Sequence, residues 1–171
     1  MSLAGAALGA DEKPKPPAEI EYGVSFLVGY GAGAQFEDDA RNRYGYAAGL
    51  RAGLTLARPR LHFGLSGLHF AGYDAAESRV YTNTFDVELG YDFRLLREHL
   101  LIRPQLALGA AQSVTIQSDN AGYPLGFHCA PGLVVGARIA PVLLTAEYRY
   151  DMVLESWPNA NSVLLGIGLV I

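Results

Sequence analysis

The chain has 171 residues, of which half are apolar and only 18% are charged, and its formal net charge is −4. This length suits a single domain. An acidic chain without a basic cluster has no electrostatic footprint for nucleic acid, so no nucleic-acid partner is expected. Cys129 is the only cysteine, which excludes an intrachain disulfide. We interpret it as a small apolar residue.

No segment has the composition of a membrane-spanning helix. Such a helix needs about 20 mainly apolar residues. The uncharged stretch Ala121–Ala137 contains Pro124, Pro131 and four glycines, which disfavour a helix. Because only helices and closed barrels satisfy their backbone hydrogen bonds in lipid, a membrane-spanning form of this chain must be a barrel.

The first 19 residues precede the periodic part of the chain. Residues 1–9 are small and apolar and are typical of the end of a secretory signal peptide, with a small-x-small motif at Ala7-Leu8-Gly9. We hypothesise that this start lies inside a longer signal. Residues 10–19 contain three prolines and alternating charges, which predict an extended periplasmic linker.

From residue 20 onward, apolar residues alternate with polar or small ones, which is the period expected of β-strands. The alternation predicts an all-β domain over residues 20–171, built from eight antiparallel strands. The predicted strands are Ile20–Tyr30, Tyr44–Leu56, Leu61–Phe70, Tyr81–Leu95, Leu101–Ile116, Leu125–Ile139, Val142–Met152 and Val163–Ile171.

Two places break this alternation. Leu27 falls on the polar side of the first predicted strand, and Leu68 and Phe70 fall on the polar side of the third. A β-bulge after Gly67 would return Leu68 and Phe70 to the apolar side, so we expect one there.

The polar side of the strands carries a balanced set of acids and bases, which suits a closed interior in which they pair. Glycine and alanine share that side, as the narrow lumen of a small barrel requires. Aromatic residues gather near the strand ends, which is typical of the two girdles of a membrane barrel. We therefore expect the apolar side to face lipid. The predicted interior charges are Arg51, Asp86, Glu88, Asp92, Arg94, Arg103, Arg138, Glu147, Arg149 and Asp151. The aromatic residues expected at one outer rim are Tyr30, Tyr44, Tyr46, Tyr81, Phe127, Tyr148 and Tyr150.

The links between strands alternate in length. Short links follow the second, fourth and sixth predicted strands, and longer polar links follow the other four. Short periplasmic turns and longer external loops are typical of membrane barrels. This pattern predicts that both termini lie in the periplasm. The acidic residues predicted to lie outside are Glu37, Asp38, Asp39, Asp74 and Glu77.

The region Ile20–Ile171 resembles the small eight-stranded outer-membrane barrels of the OmpA/OmpX type, which are antiparallel, up-and-down transmembrane β-barrels. The assembly signal of that family is roughly glycine-x-x-hydrophobic-x-aromatic at the chain end. Gly166 and Leu169 match its spacing, but Ile171 replaces the aromatic residue. The resemblance implies a monomer in the bacterial outer membrane, surrounded by lipid and lipopolysaccharide and inserted by the barrel-insertion machinery.

Our leading functional hypothesis is a structural or surface-interaction barrel whose interior charges form a plug. Reflection through the turn near residues 97–98 predicts that Asp92 faces Arg103. A second group is predicted to meet at mid-height, since buried charges must be paired. This group is Arg51, Asp86, Glu88, Glu147 and Arg149. Tyr73, Trp157 and the acidic run 37–39 could contact an external partner.

The sequence leaves three more functions open. They are a narrow gated channel, a lipid-modifying outer-membrane enzyme and a soluble lipocalin-like binder. An enzyme would need a nucleophile, a base and an orienting acid at one rim. None of the candidate bases is in a His-x-Ser arrangement, so we predict no catalytic residue. We also predict no metal site and no cofactor. Those candidate bases are His62, His69, His99 and His128.

Overall fold

The computed structural model describes residues 20–33, 44–73, 77–116, 125–154 and 159–171. The predicted signal-like segment 1–9 and linker 10–19 lie outside these ranges, as do the acidic residues 37–39, Asp74 and Trp157. Within the described ranges no helix is long and apolar enough to cross a membrane. The described strands are β1 (Ile20–Gly33), β2 (Gly45–Leu56), β3 (Leu61–Tyr73), β4 (Arg79–Tyr91), β5 (Phe93–Leu95), β6 (Leu100–Ile116), β7 (Leu125–Ile139), β8 (Val142–Leu154) and β9 (Ala160–Val170).

The strands form one closed antiparallel barrel. Each strand pairs with the next along the barrel wall, and β1 also pairs with β9, which closes the sheet. β4 and β5 both pair with β6 and are separated only by Asp92, so they are two pieces of one barrel strand. The barrel therefore has eight strands, which confirms the predicted fold class.

The register of the strands gives the shear of the barrel. Following paired residues once around the wall from Glu21 leads back to β1 at Gly31, ten residues further along, so the shear number is 10. With a rise of about 3.3 Å per residue and strands about 4.8 Å apart, this shear tilts the strands by about 40° from the barrel axis. The path runs through Thr55, His62, Gly90, Gln105, Gly132, Arg149 and Ser162.

The apolar side of the strands forms the outer wall. Val24, Leu50, Phe85 and Leu165 each expose more than half of their surface, whereas their neighbours along the chain are buried or half-buried. On β1 the outward apolar residues run from Ile20 to Tyr30. At the strand tilt given above, that stretch is about 25 Å high, which equals the apolar band of outer-membrane barrels.

The prediction of a β-bulge after Gly67 is wrong. β3 keeps one continuous register with β4 from Leu61 to Tyr73, so no residue is inserted. Leu68 and Phe70 therefore stay on the inner side and are buried in the lumen. The inner side is not uniformly polar, and the alternation of β3 breaks because of that apolar lining.

Tyr44 is also placed differently from the prediction. It is buried and packs edge-on against Phe70 with ring centroids 5.1 Å apart, rather than standing in the outer aromatic rim. Gly45 next to it has a φ of 64°, in the left-handed region that favours glycine. The chain therefore changes direction immediately before β2, which breaks the period-two relationship between Tyr44 and the strand.

The two ends of the barrel differ. The turns at 57–60, 96–99 and 140–141 lie at one end, which we name the short-turn end. Tyr22 and Ile171 exchange backbone hydrogen bonds of 3.0 and 2.9 Å, so the first and last described strands meet at that end. We name the opposite end, where the longer connections lie, the loop end.

Candidate functional site: the barrel interior

The barrel interior contains the polar chemistry of the described residues. The structure places all ten predicted charged side chains on the inner side of the wall. Eight of them are buried, while Arg94 and Arg138 are partly accessible near the short-turn end. These charges separate into three groups at different heights.

The middle layer consists of Arg51, Glu88, Gln105 and Glu147. Arg51 Nε lies 2.7 Å from Glu88 Oε2, and Arg51 Nη2 lies 2.5 Å from Glu147 Oε2. Gln105 Nε2 donates to Glu147 Oε1 at 2.8 Å. The Arg51 guanidinium thus links carboxylates from β4 and β8, two strands that are not neighbours in the barrel wall. Sequence reasoning missed Gln105, because only charges were assigned.

The upper cluster lies nearer the loop end and consists of Asp86, His128, Arg149, Asp151 and Ser162. Arg149 donates from Nε to Asp151 Oδ1 at 2.7 Å and from Nη2 to Asp86 Oδ2 at 3.1 Å. Asp86 and Arg149 therefore pair here, one level above the middle layer in which the sequence pattern predicts them. Ser162 Oγ donates to Asp151 Oδ2 at 2.5 Å.

His128 completes this upper cluster. Its Nδ1 lies 2.6 Å from Asp86 Oδ1 and its Nε2 lies 3.1 Å from Asp151 Oδ1. A histidine can satisfy two carboxylates only when both ring nitrogens carry a proton, so this arrangement favours the imidazolium. The sequence pattern marked His128 as a candidate base and did not assign it to the charge network. Its position on the charged side of β7 was the signal that it belongs to the network.

The mouth cluster lies at the short-turn end and consists of Glu21, Asp92, Arg94, Arg103 and Arg138. Arg103 donates to Asp92 from Nε at 2.6 Å and from Nη2 at 3.2 Å, which is the pair predicted from the register. Glu21 accepts hydrogen bonds from both Arg94 and Arg138. Sequence reasoning left Glu21 out of the network, although its parity on β1 places it on the inner side.

An apolar cluster shares the upper lumen with the charges. It lies against the wall formed by β9, β1, β2 and β3, opposite the charged residues of the upper cluster on β4, β7 and β8, and Ser162 on β9 stands between the two. Gly31 leaves space for it, because a Cβ there would lie 2.9 Å from Tyr44 Cβ and 3.3 Å from Phe70 Cε1. Side chains of both kinds therefore face the upper lumen. The members of the apolar cluster are Leu27, Tyr44, Ala47, Leu68, Phe70, Ala160 and Leu164.

A cavity of about 60 Å³ opens at the short-turn end. The mouth cluster, His62 and Thr55 line it, and its inner end reaches Arg51 of the middle layer. Because a water needs about 10–15 Å³ of such space, the cavity has room for a few waters or one small ion. Over the described ranges, no group of three or more His, Cys, Asp or Glu residues is arranged to hold a metal ion.

The remaining histidines make local contacts. His62 Nδ1 lies 3.0 Å from Thr55 Oγ1, and His69 Nδ1 lies 2.8 Å from Asn83 Oδ1 on the outer wall. His99, in a short turn, lies 3.3 Å from the carbonyl oxygen of Arg138. Cys129 is a free thiol with intermediate exposure.

No family model matches the chain, and no curated protein matches its sequence. Solved structures do match its fold. Neisserial surface protein A aligns with a TM-score of 0.60 at 16% identity, over 90% of this chain and 97% of that one. The N-terminal barrel domain of OprF from Pseudomonas aeruginosa gives 0.65 at 16% identity, over 90% and 98%. Ail, the attachment invasion locus protein of Yersinia pestis, gives 0.56 at 12% identity, over 89% and 97%. The chain therefore has the fold of the small eight-stranded outer-membrane barrels.

Proposed function

We propose that this protein is an integral outer-membrane barrel with a structural or surface-interaction role and a lumen that does not conduct. The observation that carries the proposal is the filling of the lumen at two heights. The middle layer spans it from β2 to β8, and above that level the upper cluster and the apolar cluster occupy opposite sides. Packed side chains on both sides of the described lumen support an interior without a continuous aqueous path.

The outer wall supports the membrane location. Its apolar height on β1 of about 25 Å matches the outer-membrane band. Tyr22 and Phe93 stand outward near the short-turn end, and Tyr30 and Tyr46 stand outward towards the loop end, as interfacial aromatic residues do. In this placement the short turns and both termini face the periplasm, lipid and lipopolysaccharide surround the wall, and the protein works as a monomer.

A surface role would belong to the loop end. One solved structure with this fold is named a surface protein, and another is named an attachment invasion locus protein. Tyr73 is half exposed at the end of β3 and offers an aromatic contact beside the loops. The chain end, with Gly166 and Leu169 at the spacing of the family signal, is the feature that the barrel-insertion machinery would recognise during assembly.

The direct test is single-channel recording in planar bilayers. Protein extracted from outer membranes and shown to be folded by heat-modifiable gel migration is expected to give no steady openings. Steady openings of the folded form would overturn the proposal. A protein that stays soluble and shows no heat-dependent shift would overturn the membrane location as well.

A narrow channel is the second candidate, because the cavity at the short-turn end reaches Arg51. If the middle layer were the only barrier, removing the Arg51 guanidinium would open the lumen. We expect Arg51→Ser to remain closed, since the apolar and upper clusters seal the lumen above it. Steady openings of Arg51→Ser with a silent parent protein would favour the channel.

The lipocalin-like binder and the lipid-modifying enzyme find less support. A lipocalin-like binder needs an apolar interior and a polar exterior, which is the reverse of the arrangement of β4 and β8. For an enzyme, Ser162 is the serine of the cluster that contains His128, but its hydroxyl donates to Asp151 rather than to the histidine. We therefore include no catalysis in the proposed function. A lipid A profile that changes with expression of the protein would contradict this.

A further inference from the structure

Two arginines bind the Glu21 carboxylate at the short-turn end. Arg94 donates to its two carboxylate oxygens, from Nη1 at 3.1 Å and from Nη2 at 2.6 Å. Arg138 donates from Nη1 to Glu21 Oε1 at 3.0 Å. Two guanidiniums from β5 and β7 thus clamp one carboxylate that comes from the opposite wall. This is the arrangement by which proteins bind carboxylate and phosphate groups.

The carboxylate in this clamp is partly accessible from the mouth. Glu21 is the second residue of β1 and pairs with β2, whereas the backbone hydrogen bonds of β1 on its other side begin at Tyr22, which pairs with Ile171. The side chains of Glu21 and Arg138 keep 19% and 26% of their surface accessible. A rotation of the Glu21 side chain towards the mouth therefore exposes its carboxylate to solvent without breaking the barrel wall.

The surroundings favour an anion in its place. The mouth cluster contains three guanidiniums and two carboxylates, and the third carboxylate of the cavity lining, Glu98, is 53% accessible and lies 3.5 Å from Arg94. The adjoining cavity of about 60 Å³ is lined by all three arginines. Arg103 donates from Nε and Nη2 to Asp92. These two hydrogen bonds use only part of the five N–H donors of its guanidinium. The cavity therefore offers space, positive charge and hydrogen-bond donors beside the Glu21 carboxylate.

We propose that Arg94 and Arg138 form a binding site, which we name the seat, for a small oxyanion, namely a carboxylate or a phosphate group. The Glu21 carboxylate occupies this seat when no ligand is bound. An incoming oxyanion displaces Glu21 and binds between the two guanidiniums at the short-turn end. The site ends below the middle layer, so it binds its ligand without passing it through the lumen. The inference does not depend on whether the lumen conducts.

Chemical rescue of Glu21→Ala tests the seat. The variant is refolded in detergent micelles, and its urea midpoint is measured in sodium formate, sodium phosphate and sodium chloride at equal ionic strength. We expect formate or phosphate to recover most of the midpoint lost in the variant, because a ligand that binds only the folded state stabilises it. Chloride is expected to recover little. The formate and phosphate arms show which oxyanion the seat prefers. Glu21→Gln, which keeps the side-chain shape, serves if Glu21→Ala does not fold.

Matched variants separate the seat from a general salt effect. Glu98 is an exposed acid of the adjoining turn and lies 3.5 Å from Arg94, so Glu98→Ala removes a charge at the same end but leaves the seat filled. Because Glu21 still competes for the seat in this variant, it is expected to show a smaller preference for formate over chloride than Glu21→Ala does. Adding Arg138→Gln to Glu21→Ala is expected to abolish the rescue. Equal rescue by chloride, or the same formate effect in Glu98→Ala, would overturn the proposal.

The parent protein must also bind the probe. Side-chain NMR signals of Arg94 and Arg138 are expected to shift saturably with formate, with an affinity at least about tenfold below that of Glu21→Ala, because Glu21 competes for the seat. If Glu21→Ala is rescued while the parent shows no saturable shift, Glu21 is a permanent structural clamp. That result would refute displacement by an external ligand.

Discussion

Replacing Arg149 with methionine perturbs the buried charge network at its most enclosed point. The Arg149 side chain is only 1% accessible, and it is the one guanidinium that contacts both Asp86 and Asp151 among the described residues. Methionine has a similar length but carries no charge and no N–H donor. In the variant these two buried carboxylates retain only His128 as a charged partner within the upper cluster.

The expected cost follows from that burial. Removing one partner of a buried ion pair costs about 3–5 kcal/mol, because a buried charge is left uncompensated. Here His128 can balance only one of the two carboxylates. Arg138→Met is the matched control, since Arg138 is partly exposed at the mouth and makes an ion pair with Glu21. A pair of that kind contributes about 0–1 kcal/mol. With a urea m value of about 2 kcal/mol/M, Arg149→Met should lower the midpoint by about 2 M.

The assay is equilibrium unfolding in urea of protein inserted into lipid vesicles, followed by heat-modifiable gel migration. The double variant Asp86→Asn, Arg149→Met removes the uncompensated carboxylate, leaves Asp151 paired with His128 and is expected to regain part of the loss. A midpoint for Arg149→Met no lower than that of Arg138→Met would refute the reasoning. It would mean that water reaches the upper cluster.

Three further changes test the wall and the lumen by the same unfolding assay. Leu165→Arg, on the outer wall near mid-height, is expected to destabilise the barrel in lipid by about 2–4 kcal/mol, and Leu95→Arg at the short-turn rim by about 0–1 kcal/mol. Equal costs would contradict the proposed position of the lipid band. Gly109→Ala is expected to impair folding, because its Cβ would collide with the Phe85 carbonyl oxygen and lie 2.8 Å from Asp86 Cα, whereas a Cβ at Gly33 meets nothing within 4 Å. A normal midpoint for Gly109→Ala would show that the β4–β6 pairing is looser than described. Phe70→Ala is expected to cost about 3–5 kcal/mol, since Phe70 is fully buried. A cost below about 1 kcal/mol would show that the apolar cluster is not packed.

Much of this architecture was predictable from the alternation of apolar and polar or small residues along the strands. Strands such as β4 place a charge or a small residue at every second position, and that pattern sets which side chains share a side whatever the tertiary structure. Pairing by reflection through a short turn likewise predicts Asp92 opposite Arg103, since only a few residues separate them. Such relations are local, so the sequence contains them.

The partners of the other charges could not be predicted. Arg51 meets Glu147, which is 96 residues away, and Glu21 meets Arg138, which is 117 residues away. These contacts depend on which strands oppose each other across the lumen and on the height at which each residue stands. Both follow from the shear of the closed barrel. Shear is a property of all eight strand pairs together, so no single strand pattern contains it.

The sequence by itself determined the strands, the side of each strand that turns inward and the alternation of short and long links, because these follow from backbone geometry and local turns. Only the tertiary structure decided what fills the lumen. Leu27, Leu68 and Phe70 look like breaks in the pattern when each strand is considered alone. Closure of the barrel brings them together as one apolar cluster beside the charges, because side chains facing a narrow lumen pack against strands that are distant in sequence.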